Sequence, residues 1–241
     1  MQKLSKVEPI LVFGAHPDDI EFGAGAIIAS ETRVGRKAHF VVTSAGEAAS
    51  SGTAQERIAE AKEAAEILGA TIEFIELDGD SHLEIRVSHA LKLAQIIRRM
   101  RPATVLTTSV VANQHPDHAR LGQLVRDAAR LARYGGLSDL QNTKPHAIEQ
   151  LFFYAVTPDG EPSDIAPVLI DVSHPEVMVL WSGAMHAHKS QTATRNYAEL
   201  QLTRARLLGA RVGVEYAMAL YSNEALVFDS LSQLGRGARN F

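Results

Sequence analysis

Ile10-Leu11-Val12-Phe13-Gly14-Ala15-His16-Pro17-Asp18-Asp19 decides the fold: four apolar residues, two small ones, then a polar cluster packed into one turn. A short apolar run ended by small residues fits a strand buried on both faces, as in a parallel sheet. His39-Phe40-Val41-Val42, Ile72-Glu73-Phe74-Ile75 and Thr104-Val105-Leu106-Thr107 repeat the pattern. The intervening segments 25–34, 54–68, 89–99 and 119–132 carry helical patterning. The second of these opens on Thr53-Ala54-Gln55-Glu56, a capping-box sequence, and ends at Gly69; Asp117 is the expected N-cap of the fourth.

Alternation of strand and helix at this spacing predicts an α/β fold, a Rossmann-like doubly wound, mostly parallel sheet with helices on both faces. Right-handed crossovers give the strand order 3-2-1-4, so the first and fourth strands are neighbours and a ligand site is expected at their carboxyl ends. The second half is less regular. Strands are expected at 151–156 and 168–170. A helix capped by Ser173-His174-Pro175-Glu176 should run to about Gln191, and another from Arg195 to about Gly209. The loop 135–146 is expected near the mouth of the site. The chain reads as one domain over 1–241, with a core at 8–133 completed by 147–241.

Composition narrows the function. The 241 residues are 46% hydrophobic and 22% charged, with a net charge of −4 and no cysteine. Cysteine-ligated zinc and thiol nucleophiles are therefore excluded, and the charge balance gives no nucleic-acid or membrane-surface footprint. The polar stretch Met1 to Glu8 and the short apolar run after it lack the length of a signal peptide or a membrane span, so a soluble, cytoplasmic protein is expected.

The loop after the first strand carries His16-Pro17-Asp18-Asp19; the one after the fourth carries Gln114-His115-Pro116-Asp117-His118. Alone, a His-Pro-Asp sequence is ordinarily a turn held by a local side-chain bond. Two of them at adjacent strand ends point to a metal. Catalytic zinc takes three His or carboxylate ligands and leaves one position open. His16 and Asp19, three apart on a first helical turn, and His118 from the neighbouring loop make that set. Asp18 is then the expected general base. His115, as a cation, is expected to stabilise an oxyanion or protonate a leaving amine, while Asp117 orients His115 or caps the helix.

Ala15-His16-Pro17-Asp18-Asp19 with Ile20-Glu21-Phe22-Gly23, followed later by His115-Pro116-Asp117-His118, resembles the PIG-L/LmbE deacetylase family. Thr43-Ser44-Ala45-Gly46-Glu47 is similar to its Thr-x-Gly-Glu loop, and Arg57-Ile58-Ala59-Glu60 to the helix after it. Ser190-Gln191, Tyr197-Ala198-Glu199 and Gly213-Val214-Glu215-Tyr216-Ala217 resemble the bacillithiol-pathway (N-acetylglucosaminyl malate) branch. The resemblance implies metal-dependent hydrolysis of the N-acetyl group of an N-acetylglucosamine conjugate. It implies one divalent metal, usually zinc, although iron(II) also suits a His₂Asp set. It implies His16, Asp19 and His118 as ligands, Asp18 as base and His115 as the partner of the intermediate. Arg57 would contact the sugar or its aglycone, Asp80 or Asp78 the sugar hydroxyls, and Tyr197 would line the site. The branch also implies a homo-oligomer, a trimer or hexamer. Gly79-Asp80-Ser81-His82, Asn113 and Met218-Ala219-Leu220 depart from the branch pattern and leave the conjugate open.

Several residues have plain alternatives. Arg57, among Glu56, Glu60 and Glu63, fits a solvated i,i+4 partner. His186 and His188 lie two apart on a helix and face different ways, which fits surface or interface roles, and His39, His82, His89, His146 and His174 have no partner motif. Gly23-Ala24-Gly25 falls short of a dinucleotide fingerprint because Ile28 replaces its third glycine; small residues for close packing explain it better. The competing functions are another single-metal amidohydrolase or phosphoesterase, and a non-catalytic sugar- or nucleotide-binding module.

Overall fold

In a computed structural model of the chain, residues 8–193 and 196–237 are described. β1 (Ile10–Gly14) is buried along its whole length. Its alternate residues feed two separate cores, as the period of two in a strand requires. Ile10 and Val12 join one apolar cluster, Leu11 and Phe13 the other. Around it lie α1 (Asp19–Arg33), β2 (Ala38–Val42), α2 (Ala54–Ile67), β3 (Ala70–Phe74), α3 (Val87–Met100), β4 (Thr104–Thr108) and α4 (Pro116–Ala132). β5 (Gln150–Tyr154), β6 (Val168–Asp171), α5 (Pro175–Ala187), α6 (Lys189–Thr192), α7 (Tyr197–Val212) and β7 (Ala217–Ser222) follow.

The sheet order is β3-β2-β1-β4-β5-β7-β6, so its first half is the expected 3-2-1-4. β1 to β5 pair in parallel, and β7 runs antiparallel between β5 and β6. α1, α2, α5 and α7 cover one face; α3 and α4 cover the other. No helix among the described residues is long and apolar enough to cross a membrane.

Four expectations change. β7 was not expected, because Ala217, Met218 and Ala219 carry little β propensity and show no polar alternation. α1 begins at Asp19, six residues earlier than expected, because Gly23 and Gly25 mask the helical signal inside a fully buried turn. The helix expected to reach Gln191 breaks at His188, so α5 and α6 are separate; α7 starts at Tyr197, and Arg195 falls outside the described residues. The 135–146 loop lies away from the site. α4 runs back antiparallel to β4, and the loop after it sits at the amino ends of the strands. There Arg98 of α3 donates to the carbonyls of Ala132, Tyr134, Leu140 and Thr143.

Gly23 and Gly25 are packing residues. A Cβ at Gly23 would lie 2.3 Å from the Tyr154 ring, and one at Gly25 2.7 Å from Trp181. Neither ring can retreat: the Tyr154 hydroxyl donates to the Phe13 carbonyl and the Trp181 indole to that of Glu21. Alanine favours a helix over glycine by about 1 kcal/mol. Gly23→Ala should nonetheless lower stability by about 1–3 kcal/mol through overpacking. A chemical-denaturation midpoint at or above that of the parent would refute this account of the close approach.

Candidate metal centre

At the carboxyl end of β1 the chain turns into α1, and Asp19 closes the turn. Its Oδ2 accepts from the backbone N–H groups of Ala15 and His16, both at 2.9 Å. Its Oδ1 lies 3.0 Å from His118 Nε2. His16 Nδ1 is 3.2 Å from His118 Nε2 and 3.5 Å from Asp19 Oδ2. Ligands about 2.0–2.1 Å from a tetrahedral zinc stand about 3.3 Å from one another. The three residues expected as ligands are buried and meet here, His16 and His118 approaching different oxygens of Asp19.

The far side of the His16 ring explains how the near side is held. Nε2 faces Asp80 Oδ1 at 3.1 Å and Asp117 Oδ2 at 3.4 Å. A ring that donates from Nε2 to a carboxylate directs the Nδ1 lone pair at the cluster, an arrangement that fixes the tautomer of metal-binding histidines. Against the cost of burial, bonds from His16, Ser81 and Ala48 hold the Asp80 carboxylate down at about 2. Burial pulls His16 down as well, but Asp19, Asp117 and Asp80 together raise it well above its ordinary value.

Asp117 is not the helix cap, and it meets His115 through its backbone N–H rather than its carboxylate. His115, not Asp117, is the N-cap of α4, its Nδ1 accepting from the Asp117 N–H at 3.3 Å. Pro116 is free to take the first helical position, where no N–H is needed, and so the cap moves back to His115. The Asp117 carboxylate instead accepts from the Ser81 N–H at 2.7 Å and ties the 76–86 loop to His16. Burial, with His16 and His118 nearby, lowers the pKa of His115, and the bond its Nδ1 accepts leaves Nε2 to carry the ring proton when the ring is neutral.

Asp18 occupies the N-cap position of α1 with φ 128°, outside ordinary cap geometry, and its side chain makes no cap bond. Arg57, in the first turn of α2, donates to it at 3.1 Å and to the carbonyls of Pro17 and Gly46 at 2.9 and 3.0 Å. Gly46, at φ 70°, lets the loop cross the guanidinium, since a Cβ there would be 2.3 Å from Nη1. Arg57 is only 4% exposed, so its donors serve Asp18 and the backbone, and it is not a solvated helix partner. Burial and the Asp19 carboxylate push Asp18 up to about 6, against the pull of Arg57 and His188.

Of the two candidate sugar-binding aspartates, Asp80 reaches the site. Asp78 turns away to the Glu84 N–H, Arg86 and His89, bracing the same loop against α3. Tyr197 lines the cavity with Phe22, the ring centroids 5.8 Å apart. That cavity, about 320 Å³, is bordered by His16, Asp18, Asp19, His115 and His118 on its polar side and by Phe22, Val156 and Tyr197 on its apolar side. His188 was expected at a surface or interface but is fully buried, with Nε2 3.4 Å from Glu21 Oε2. Burial lowers its pKa, and Glu21 outweighs this and raises it. Sequence reasoning missed Glu21 as well, since no spacing connects residues 167 positions apart.

Comparison with known proteins agrees with this architecture. Residues 11–129 match the model of a family described as PIG-L: GlcNAc-PI de-N-acetylase. A 4-oxalmesaconate hydratase of Pseudomonas putida is 32% identical over 138 residues, 52% of this chain and 53% of the relative, so the match spans about half of that protein. The uncharacterized deacetylase YaiS of Escherichia coli is 32% identical over 136 residues, 54% of this chain and 72% of the relative. The crystal structure of a conserved protein from Thermus thermophilus superposes with a TM-score of 0.81 at 30% identity, covering 95% of this chain and 100% of that one. With relatives at this identity over most of their own lengths, and the family's sequence pattern running through the loops that build the cluster, the chain belongs to the PIG-L family.

Proposed function

We propose that this protein is a metal-dependent deacetylase that hydrolyses the N-acetyl group of an N-acetylglucosamine conjugate. The observation that carries the reading is the Asp18 carboxylate, fixed by Arg57 beside the buried cluster of His16, Asp19 and His118, the residues we propose as metal ligands. The family description supports it, as does the deacetylase among the relatives. A divalent metal held there, zinc or an ion of like preference, would polarise the amide carbonyl and lower the pKa of a water to about 7.

The chain's own groups do the rest. Asp18 takes a proton from the attacking water and delivers it to the departing amine. His115 Nε2–H donates to the oxygen on which negative charge develops. Asp80 and Asp117 hold the His16 ring, and Arg57 holds Asp18. Phe22, Val156 and Tyr197 give a face for the apolar side of a sugar ring. The resemblance of residues 190–217 to the malate-conjugate branch favours a small aglycone of that kind.

A second reading follows from the hydratase relative, because a carboxylate base beside a metal could also add water across a conjugated double bond. One assay separates them. Purified protein, with zinc or with chelator, is offered N-acetylglucosamine and its malate and inositol conjugates, and acetate is measured; 4-oxalmesaconate is offered in parallel and its absorbance followed. Chelator-sensitive acetate release supports deacetylation. Hydration without acetate release replaces it with the second reading, and neither activity refutes both.

A further inference from the structure

α1 and α2 both begin with an N-cap residue followed three residues on by glutamate, and of these two only α2 forms the capping box. In α2, Thr53 and Glu56 exchange both bonds: the Thr53 N–H donates to Glu56 Oε2 at 2.7 Å, and the Glu56 N–H to Thr53 Oγ1 at 3.2 Å. In α1, Asp18-Asp19-Ile20-Glu21 presents an N-cap acid with Glu three residues on, a pattern of the same kind. Neither bond is made. The Asp18 carboxylate goes to Arg57, and the Glu21 carboxylate, 2% exposed, is within ion-pair distance of His188, 3.4 Å from Nε2.

The position of His188 is itself fixed from two sides. Its ring is fully buried, 6.0 Å from that of Phe22. It stands at the break between α5 and α6, and α6 is clamped to α2 by Ser190, whose N–H and hydroxyl both donate to Glu60, at 2.8 and 2.6 Å. Glu60 lies one turn beyond Arg57 on the same helix. α2 therefore anchors both partners that divert the two acids of α1 from each other.

We propose that Glu21 and His188 form a buried latch that keeps the α1 capping box open and so positions Asp18 toward the cavity. Without the latch, Glu21 is an uncompensated buried carboxylate one turn from the Asp18 N–H, the donor that a capping box would offer it. Its nearest satisfaction is the box, which would draw the Asp18 carboxylate back onto the helix end. His188 is a positioning residue that acts through Asp18. Its role in turnover rests on the reading of Asp18 as the base; the latch itself does not.

The test uses His188→Leu, His188→Gln, Glu21→Ala with His188→Leu, and the same changes in an Asp18→Asn background. His188→Leu should lower kcat about 10–100-fold, the range for residues that orient a catalytic group, with KM and bound metal near parental values. His188→Gln, whose amide can donate to Glu21, should restore most of the rate. Adding Glu21→Ala should also restore it, because the box then has no second arm. A crystal structure of His188→Leu should show the Glu21 carboxylate on the Asp18 N–H. Parental kcat in His188→Leu, no recovery on adding Glu21→Ala, or an equal further loss in the Asp18→Asn background would overturn the proposal. Should His188→Leu fail to fold, recovery of folding and rate by the Glu21→Ala double variant still supports the latch, and failure of both variants overturns it. Full turnover by Asp18→Asn alone would instead refute the assignment of the base, and the crystal structure would then judge the latch separately.

Discussion

Asp18→Asn should lower acetate release by about 10²–10⁴-fold, the usual contribution of a positioned acid–base group, while metal stays bound at one per chain. The substitution isolates proton transfer because almost everything else is preserved. Asparagine has the same shape, and its carbonyl oxygen can still accept from Arg57, which holds the present carboxylate at 3.1 Å. Neither the ligand atoms nor the bonds from Asp19 to the Ala15 and His16 N–H groups involve Asp18. What is lost is the capacity to take up a proton and return it. A KM near that of the parent would accompany the loss, since a group used in proton movement contributes little to substrate binding. Turnover within tenfold of the parent, with metal retained, would remove Asp18 as base.

The sequence reveals the half of the architecture that obeys simple periodicity. Four short apolar runs separated by amphipathic segments admit few connections, and the right-handed crossover rule reduces them to the order found, with β1 beside β4. From this His16, Asp19 and His118 could be brought together before any coordinates. The second half resists the same reading. β7 enters the sheet antiparallel, so neither crossover handedness nor strand count restricts its place, and its alanines look helical. The misplaced 135–146 loop shows a related limit. Glycine, serine and asparagine mark a turn, but which end of the sheet it occupies depends on the direction of α4.

At the site, side-chain direction is the missing information. The motif puts Asp18 and Asp19 side by side, yet their fates diverge through contacts with Arg57 and the turn N–H groups that lie in different elements. Asp78 and Asp80 are indistinguishable as turn aspartates, and only the fold turns one to His89 and the other to His16. Arg57 reads as a surface charge because its neighbours in α2 are glutamates; burial beneath Gly46 comes from a loop eleven residues upstream. His188 and Glu21 carry no shared signal at all, since their pairing exists only once α5 has packed on α1.

The second large effect is expected at the ligand set, where His118→Ala should abolish both stoichiometric metal and acetate release. Three donors leave little redundancy, and a site reduced to two loses the chelation that preorganised side chains supply. The fold should survive, because the part of His118 that anchors α4 is its carbonyl, which accepts from Thr108 Oγ1 at 2.7 Å and is untouched by the substitution. Two competing sets are instructive: His16 with His115 and His118, and His16 with Asp80 and Asp117, each lie close enough to share an ion. The geometry argues against His115 in that role: its residue is exposed, and its Nδ1 is already the acceptor that caps α4. His115→Ala should therefore keep one metal per chain and lose rate, whereas Asp80→Asn, which frees the back of the His16 ring, should weaken metal binding about 10–100-fold. Metal content measured by elemental analysis on the three variants orders the residues. Retention of metal in His118→Ala with its loss in His115→Ala would reassign the third ligand and take the orienting role of the α4 cap with it.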